Sequence, residues 1–252
     1  MITSSYMAST LELMGYSNQA LEMNQKALSL ARELGNPYSL AFALDFSAVF
    51  RHIRREAKEA QMMAEEAIAL STEQGFLQWI AHGMILRGWA LVEQGHKEEG
   101  EGQIQEGLGA WRATGAGLAL PYYLTPLVET KIRRERAEEG QRVLNEALSI
   151  AQANQDGFFV PELYRLKGEL LMLTGEMEEE IEKCFNTAID MARRQNAKVL
   201  ELRATVDFCR FLIKQNKAKE AKDLLKKIYD FFTEGLDTPN MQEAKQLLDE
   251  LS

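Results

Sequence analysis

The stretch Leu86-Arg-Gly-Trp-Ala-Leu-Val-Glu-Gln-Gly-His-Lys-Glu-Glu-Gly-Glu-Gly-Gln-Ile-Gln-Glu-Gly107 decides the fold. Gly88 is followed twelve residues on by Gly100 and seven further by Gly107, with Gly95 placed to turn the chain between the first two. Outward from it the same spacing recurs. A first column runs Ala8, Ala48, Gly88, Val128, Gly168, Cys209; a second runs Ala20, Ala60, Gly100, Gly140, Ile181, Ala221; a third runs Ala27, Ala67, Gly107, Ala147, Ala188, Ile228. Successive steps are 40 residues, with one of 41 where the Gly175 to Glu180 turn carries an insertion. Sixteen of the eighteen positions are Gly, Ala, Val or Cys. Small residues at fixed places in helical segments mark where two helices approach closely, because a larger side chain would hold the backbones apart.

Each unit therefore reads as helix, tight turn, helix, short link. In the second unit Leu40, Ala43, Leu44 and Val49, then Ala60, Ala64, Ala67 and Ile68, fall at helical spacing, and neither half alternates as a strand would. Turns inside the units fall at Gly15, Arg54-Arg55, Gly95, Arg134-Glu135, Gly175 and Asn216. Links fall at Gly35, Gly75, Gly115, Gln155, Asn196 and Gly235, where a left-handed residue closes a helix. Pro37 and Pro161 suit helix starts. Pro126, inside the first helix of the fourth unit and five residues after Pro121, should make that helix kink or start late. The expected architecture is an all-α solenoid, a right-handed superhelix of about six helix pairs. Its units are about 1-35, 36-75, 76-115, 116-156, 157-196 and 197-236, in one array over 1-252. Thr238-Pro239 then opens a closing helix, 239-251, with Met241, Ala244, Leu247, Leu248 and Leu251 on one face. The first helix, starting at Met1, reads as the uncapped edge of a longer array.

Composition narrows function. A net charge of -9 disfavours nucleic acid as the main partner, since phosphate binding depends on clustered Lys and Arg. The longest apolar run, Leu118 to Val128, holds two prolines and is too short to span a bilayer, so no membrane partner is expected. The N-terminus shows no secretory pattern, and two cysteines, Cys184 and Cys209, suit free thiols in a cytoplasmic protein. Three scattered histidines, His52, His82 and His96, make no metal site, no nucleophile motif appears, and neither cofactor nor enzymatic activity is expected. The acidic runs at Glu98, Glu138 and Glu176 read as complements to helix N-termini. The basic turns Arg51 to Arg55 and Arg133 to Arg136 read as solvated arginines, and Trp79 and Trp111 as core.

The small-residue spacing, with Phe185 four places after Ile181 and three before Ala188, resembles the tetratricopeptide repeat, whose usual period is 34. The first-to-third column distance matches that family, so the extra residues fall between units. Ala31-Arg-Glu-Leu-Gly-Asn-Pro-Tyr-Ser-Leu-Ala-Phe-Ala-Leu44, Leu86 to Gly95, Glu162 to Leu171 and Tyr229 to Thr238 further resemble the C-terminal repeat region of large bacterial signalling proteins that carry a predicted ATPase module, often with a nucleotide cyclase domain in front. That likeness implies a regulatory module serving a larger protein. No Gly-x-x-x-x-Gly-Lys-Ser/Thr loop is present, so nucleotide hydrolysis does not carry over.

In tetratricopeptide arrays the first helices line a concave groove through positions one after and three before the first column, with others a turn away. Carried over, these give Asp45, Val49 and His52; His82, Ile85 and Trp89; Tyr122, Thr125 and Glu129; Glu162, Arg165 and Glu169; Arg203, Val206 and Arg210. The resemblance implies that this strip binds a protein or peptide segment as a scaffold. Two alternatives stand beside it: a small-molecule sensor with a pocket near Trp89, Tyr122 and Glu129, and plain intrahelical ion pairing among Glu162, Arg165 and Glu169. A dimer through the uncapped first unit is a further expectation.

Overall fold

The structure, a computed structural model, describes residues 1-115 and 119-251; Leu118, where the apolar run begins, and residue 116, where the fourth unit was placed, lie outside them. Among the described residues thirteen helices are present and no strand, an all-α helical-repeat solenoid. The first helices of successive pairs are α1 (Ile2–Leu13), α3 (Pro37–Ile53), α5 (Leu77–Glu93), α7 (Leu120–Arg133), α9 (Val160–Thr174) and α11 (Lys198–Lys214). Their partners are α2 (Ser17–Leu34), α4 (Ala57–Gln74), α6 (Lys97–Ala113), α8 (Ala137–Ala153), α10 (Glu178–Arg194) and α12 (Ala218–Tyr229), and α13 (Pro239–Glu250) follows. The chain divides into two compact units, one of Met1–Glu12 with Tyr16–Thr130 and one of Leu13–Gly15 with Lys131–Ser252.

The small columns do what their spacing implies. A Cβ on Gly88 would lie 2.7 Å from the Gly100 carbonyl oxygen, and one on Gly100 would lie 2.5 Å from that of Gly88. α5 and α6 therefore meet backbone to backbone, which no side chain beyond hydrogen permits. Larger residues pack around such crossings. In the first unit Ala48, Ala64 and Leu86 pack together, as do Ala60, Trp89 and Ala90. In the second, Phe185 of α10 joins Phe208, Cys209 and Leu212 of α11, Leu225 and Ile228 of α12, and Met241, Ala244 and Leu247 of α13.

Links and turns close on left-handed residues, including the non-glycine Arg55, Glu135, Gln155, Asn196 and Asn216. Pro37 and Pro161 occupy the first turns of α3 and α9. Thr238 stands at the cap position of α13, but its hydroxyl donates to the Gly235 carbonyl and makes no cap hydrogen bond, a departure from the expected cap.

Around Pro126 the helix survives and starts late. α7 begins eight residues before Val128, whereas α5 begins eleven before Gly88, and it continues through Pro126 to Arg133. Proline removes the N–H that would serve the Tyr122 carbonyl. The Thr125 hydroxyl donates to that oxygen instead, at 2.8 Å.

The basic turn at Arg51 to Arg55 departs from the solvated reading. Arg54 is 5% exposed and donates to Glu12 Oε2 at 2.8 Å and to Glu56 Oε1 at 2.9 Å, with Ser17 Oγ also in contact. The turn abuts the end of α1 and the start of α2, which supply Glu12 and Ser17, while Glu56 comes from the turn itself. Burial pushes the Glu12 carboxyl up, more than Arg54 and Ser17 pull it down.

Candidate functional site

On α3, residues 45, 49 and 52 share a stripe because i, i+4 and i+7 recur on one helical face; 82, 85 and 89 on α5 and 122, 125 and 129 on α7 follow by the same rule. The three stripes face one another inside the first unit. Asp45, fully buried, contacts His82 Nδ1. Burial pushes the Asp45 carboxyl up, and the facing His82 only partly offsets it. The Tyr123 ring lies 4.3 Å from that of His82 and 4.6 Å from that of Trp111. Burial, then the charge of Asp45, drives the Tyr123 phenol well above its ordinary value.

One turn further along, His52 Nδ1 and the Tyr122 hydroxyl share a hydrogen bond of 2.7 Å, and the His52 ring meets Trp89 edge-on at 4.4 Å. Glu129 then receives two donors: Trp89 Nε1 at 3.1 Å and Arg55 Nη1 at 2.9 Å. The Arg55 guanidinium also lies 5.9 Å from the Trp89 ring centre. Contacts from α3 to α7 bridge over α5, so side chains from alternate first helices reach one another.

The second unit is built on charge. Arg165 of α9 donates through Nε to Glu162 Oε1 at 2.9 Å and through Nη1 to Asp207 Oδ2 at 2.6 Å, and pairs with Glu169 at 2.9 Å. Arg203 of α11 reaches the same Glu162 oxygen at 2.7 Å. Arg210 donates to Asp207 Oδ1 at 2.9 Å and to Glu243 of α13 at 2.7 Å. Burial alone would lower the Arg165 guanidinium, but Glu162, Glu169 and Asp207 outweigh it and hold the group charged. Burial likewise pushes Asp207 up, and Arg165, a hydrogen bond with Glu169 and Arg210 reverse this, leaving its carboxyl below the ordinary range.

Of the residues expected to line an open strip, Asp45, His52, His82, Trp89, Tyr122, Glu129, Glu162, Arg165 and Arg203 are buried; Glu169 is half-buried and Arg210 is exposed. The strip is a packed inner layer within each unit, because its side chains are long enough to meet across it. The pairing among Glu162, Arg165 and Glu169 extends beyond one helix, since Asp207 and Arg203 belong to α11. Sequence reasoning missed Asp207, Arg55 and Tyr123 as members of these layers and read Trp111, which is buried, as core without placing it beside them. Asp207 carried a signal, standing four residues after Arg203 and three before Arg210; Arg55 and Trp111 belong to a turn and a second helix and carried none.

These layers offer paired hydrogen-bonding groups and aromatic faces, groups that serve recognition.

No family model matches the chain. An uncharacterized protein of Rhizobium meliloti (strain 1021) is 22% identical over 198 residues, 79% of this chain, and the chain spans only 19% of that relative's length. Among solved structures, the apo form of RapI superposes with a TM-score of 0.63 at 13% identity, covering 97% of this chain and 80% of that one. A Rap protein complexed with competence and sporulation factor superposes with a TM-score of 0.65 at 11% identity, covering 99% of this chain and 72% of that one. At these identities the likeness is one of fold, the helical-repeat architecture described above.

Proposed function

We propose that the chain is a non-catalytic interaction module that binds a segment of another protein along the inner face of its first helices, and so regulates a larger signalling protein, of the ATPase or cyclase kind, in the cytoplasm. The observation that carries this reading is the chemistry of the inner layer. Replacing a buried ion pair by packed apolar residues is commonly neutral or stabilising by about 1 to 4 kcal/mol, so stability alone gives no reason for Arg165 to sit among Glu162, Glu169 and Asp207. Directional, paired groups serve specificity, and a segment that supplies matching donors and acceptors can exchange with them. Two findings support it: a neighbour of the same fold is complexed with a factor, and a curated relative is about five times as long as the region it matches.

Glu169 and Arg210 are the inner-face charges that reach solvent, so they are the handles for a test. Native lysate passed over the unaltered chain and over a Glu169→Lys/Arg210→Glu variant should yield a protein retained only by the former, and a peptide from it should bind with micromolar Kd. Equal retention by both overturns the inner-face reading and leaves the small-molecule sensor. Self-association is a separate proposal, resting on exposed Ile2, Tyr6 and Met7 of α1; sedimentation of a Met7→Glu variant as the same dimer would remove it.

A further inference from the structure

Among the fully described links between successive helix pairs, one breaks the repeat rule. Two residues separate α2 from α3 and α4 from α5, and three separate α10 from α11, but six, 154-159, separate α8 from α9. α9 starts late, at Val160, and the backbone before it runs free of helix, fixed by Phe158 N–H donating to Asp156 Oδ1 and by Gln195 Nε2 donating to the Gly157 carbonyl at 2.6 Å. Gly157 stands ten residues after the third-column Ala147, where the other fully described links carry Pro37, Leu77 and Lys198. The late start and the missing side chain leave a crevice of about 670 Å³, bordered by Ser149, Gln152, Gln155, Asp156, Gly157 and Tyr164. The crevice beside the first link, bordered by Leu28, Ser29 and Arg32, is about 310 Å³. Departures from an otherwise consistent pattern are where function is expected, and the larger volume lies within the range of small-molecule sites, about 300 to 1,000 Å³.

We propose that this crevice between α8 and α9 binds a neutral polyhydroxylated molecule, of the class of a mono- or disaccharide. Two glutamine amides each offer a donor beside an acceptor, the pairing that adjacent hydroxyls require. Ser149 adds a hydroxyl and Asp156 an acceptor. The Tyr164 ring, with Ala151 and Val160, gives an apolar patch for the C–H face of a sugar ring. Among the described residues no lysine or arginine borders the crevice, which disfavours phosphates and carboxylates. The site is separate from the inner layer and does not depend on the proposal made for it.

A Cβ at Gly157 would meet only Gln195 Nε2, at 3.8 Å, and the backbone there is not left-handed, so Gly157→Leu fills the crevice without strain. Isotope-labelled full chain titrated with glucose, maltose and trehalose should show saturable shifts of the Gln152 and Gln155 side-chain amides and of the Gly157 N–H. Affinity should be millimolar or tighter, should weaken about tenfold or more in Gly157→Leu, and about three- to tenfold in the exposed Gln152→Ala. An unchanged spectrum elsewhere confirms that the variants fold. The proposal is overturned if none of the three sugars gives a saturable shift up to about 50 mM, if Gly157→Leu binds as well as the unaltered chain, or if putrescine or inorganic phosphate shifts these resonances and the sugars do not.

Discussion

Gly100 and Gly102 lie two residues apart on α6 and meet opposite surroundings. A Cβ at Gly100 would stand 2.5 Å from the Gly88 carbonyl and 2.6 Å from a Val92 methyl, while one at Gly102 would meet open space. Gly100→Val should lower stability by about 2 to 3 kcal/mol through overpacking, whereas Gly102→Ala should raise it by up to about 1 kcal/mol through helix propensity alone. Urea unfolding of the two variants checks this, and a stabilised Gly100→Val would show that the helices part easily. Arg165 poses the electrostatic counterpart. Arg165→Met leaves Glu162 and Asp207 buried without their shared cation, which should cost about 3 to 5 kcal/mol. The same pair sets an acid limit. A carboxyl held below its ordinary value of 3.8 contributes stability that is complete above that value and is lost as pH falls through the folded one. The second unit should therefore weaken below about pH 4, and the part of that loss due to Asp207 should shrink in Arg165→Met, where Arg210 remains as its cation. Helicity followed by circular dichroism from pH 7 to pH 2 measures it.

Among the helices, α7 shows how a local conflict is resolved by its neighbour in sequence. Pro126 leaves the Tyr122 carbonyl without its helical donor, and Thr125, 1% exposed, supplies one from its hydroxyl. Thr125→Val keeps the shape and removes the donor, so it should cost about 1 to 3 kcal/mol for the unsatisfied oxygen. Pro126→Ala restores an N–H at the position that pairs with Tyr122. In the double variant the penalty of Thr125→Val should therefore shrink by about 1 kcal/mol or more, a coupling that a double-mutant cycle reads directly. Additive effects would mean that the hydroxyl does not serve that carbonyl. The late start of α9 is tied both from within and from a neighbour: the Gly157 carbonyl accepts from Val160 N–H of α9 and from Gln195 Nε2, just past the end of α10.

Across the whole molecule, what could be read in advance is what repeats. Helix pairs, turns at Gly95 or Asn216, and links closing at Gly35 or Asn196 follow from residue type and spacing, because each depends on contacts within about 40 residues. The closed inner layer does not. His52 meets Tyr122 and Arg55 meets Glu129, 70 and 74 residues apart, and such meetings depend on how successive pairs rotate, which no local pattern encodes. Arg54 was misread for the same reason, since its partner Glu12 lies 42 residues away. A stack of this kind also unfolds by parts. Trp79, Trp89 and Trp111 all belong to the unit that contains Tyr16–Thr130, so tryptophan fluorescence reports that unit alone, whereas circular dichroism sums both. If each unit is a cooperative body, with stability summed from neighbouring interfaces, Arg165→Met should move part of the circular dichroism transition to lower urea and leave the fluorescence midpoint where it is. Gly100→Val should do the reverse, shifting fluorescence and leaving the portion of the helical signal that Arg165→Met displaces. A midpoint shift of equal size in both signals, for either variant, would mean that the chain unfolds as one cooperative whole and that two units are a description of contacts, not of energetics.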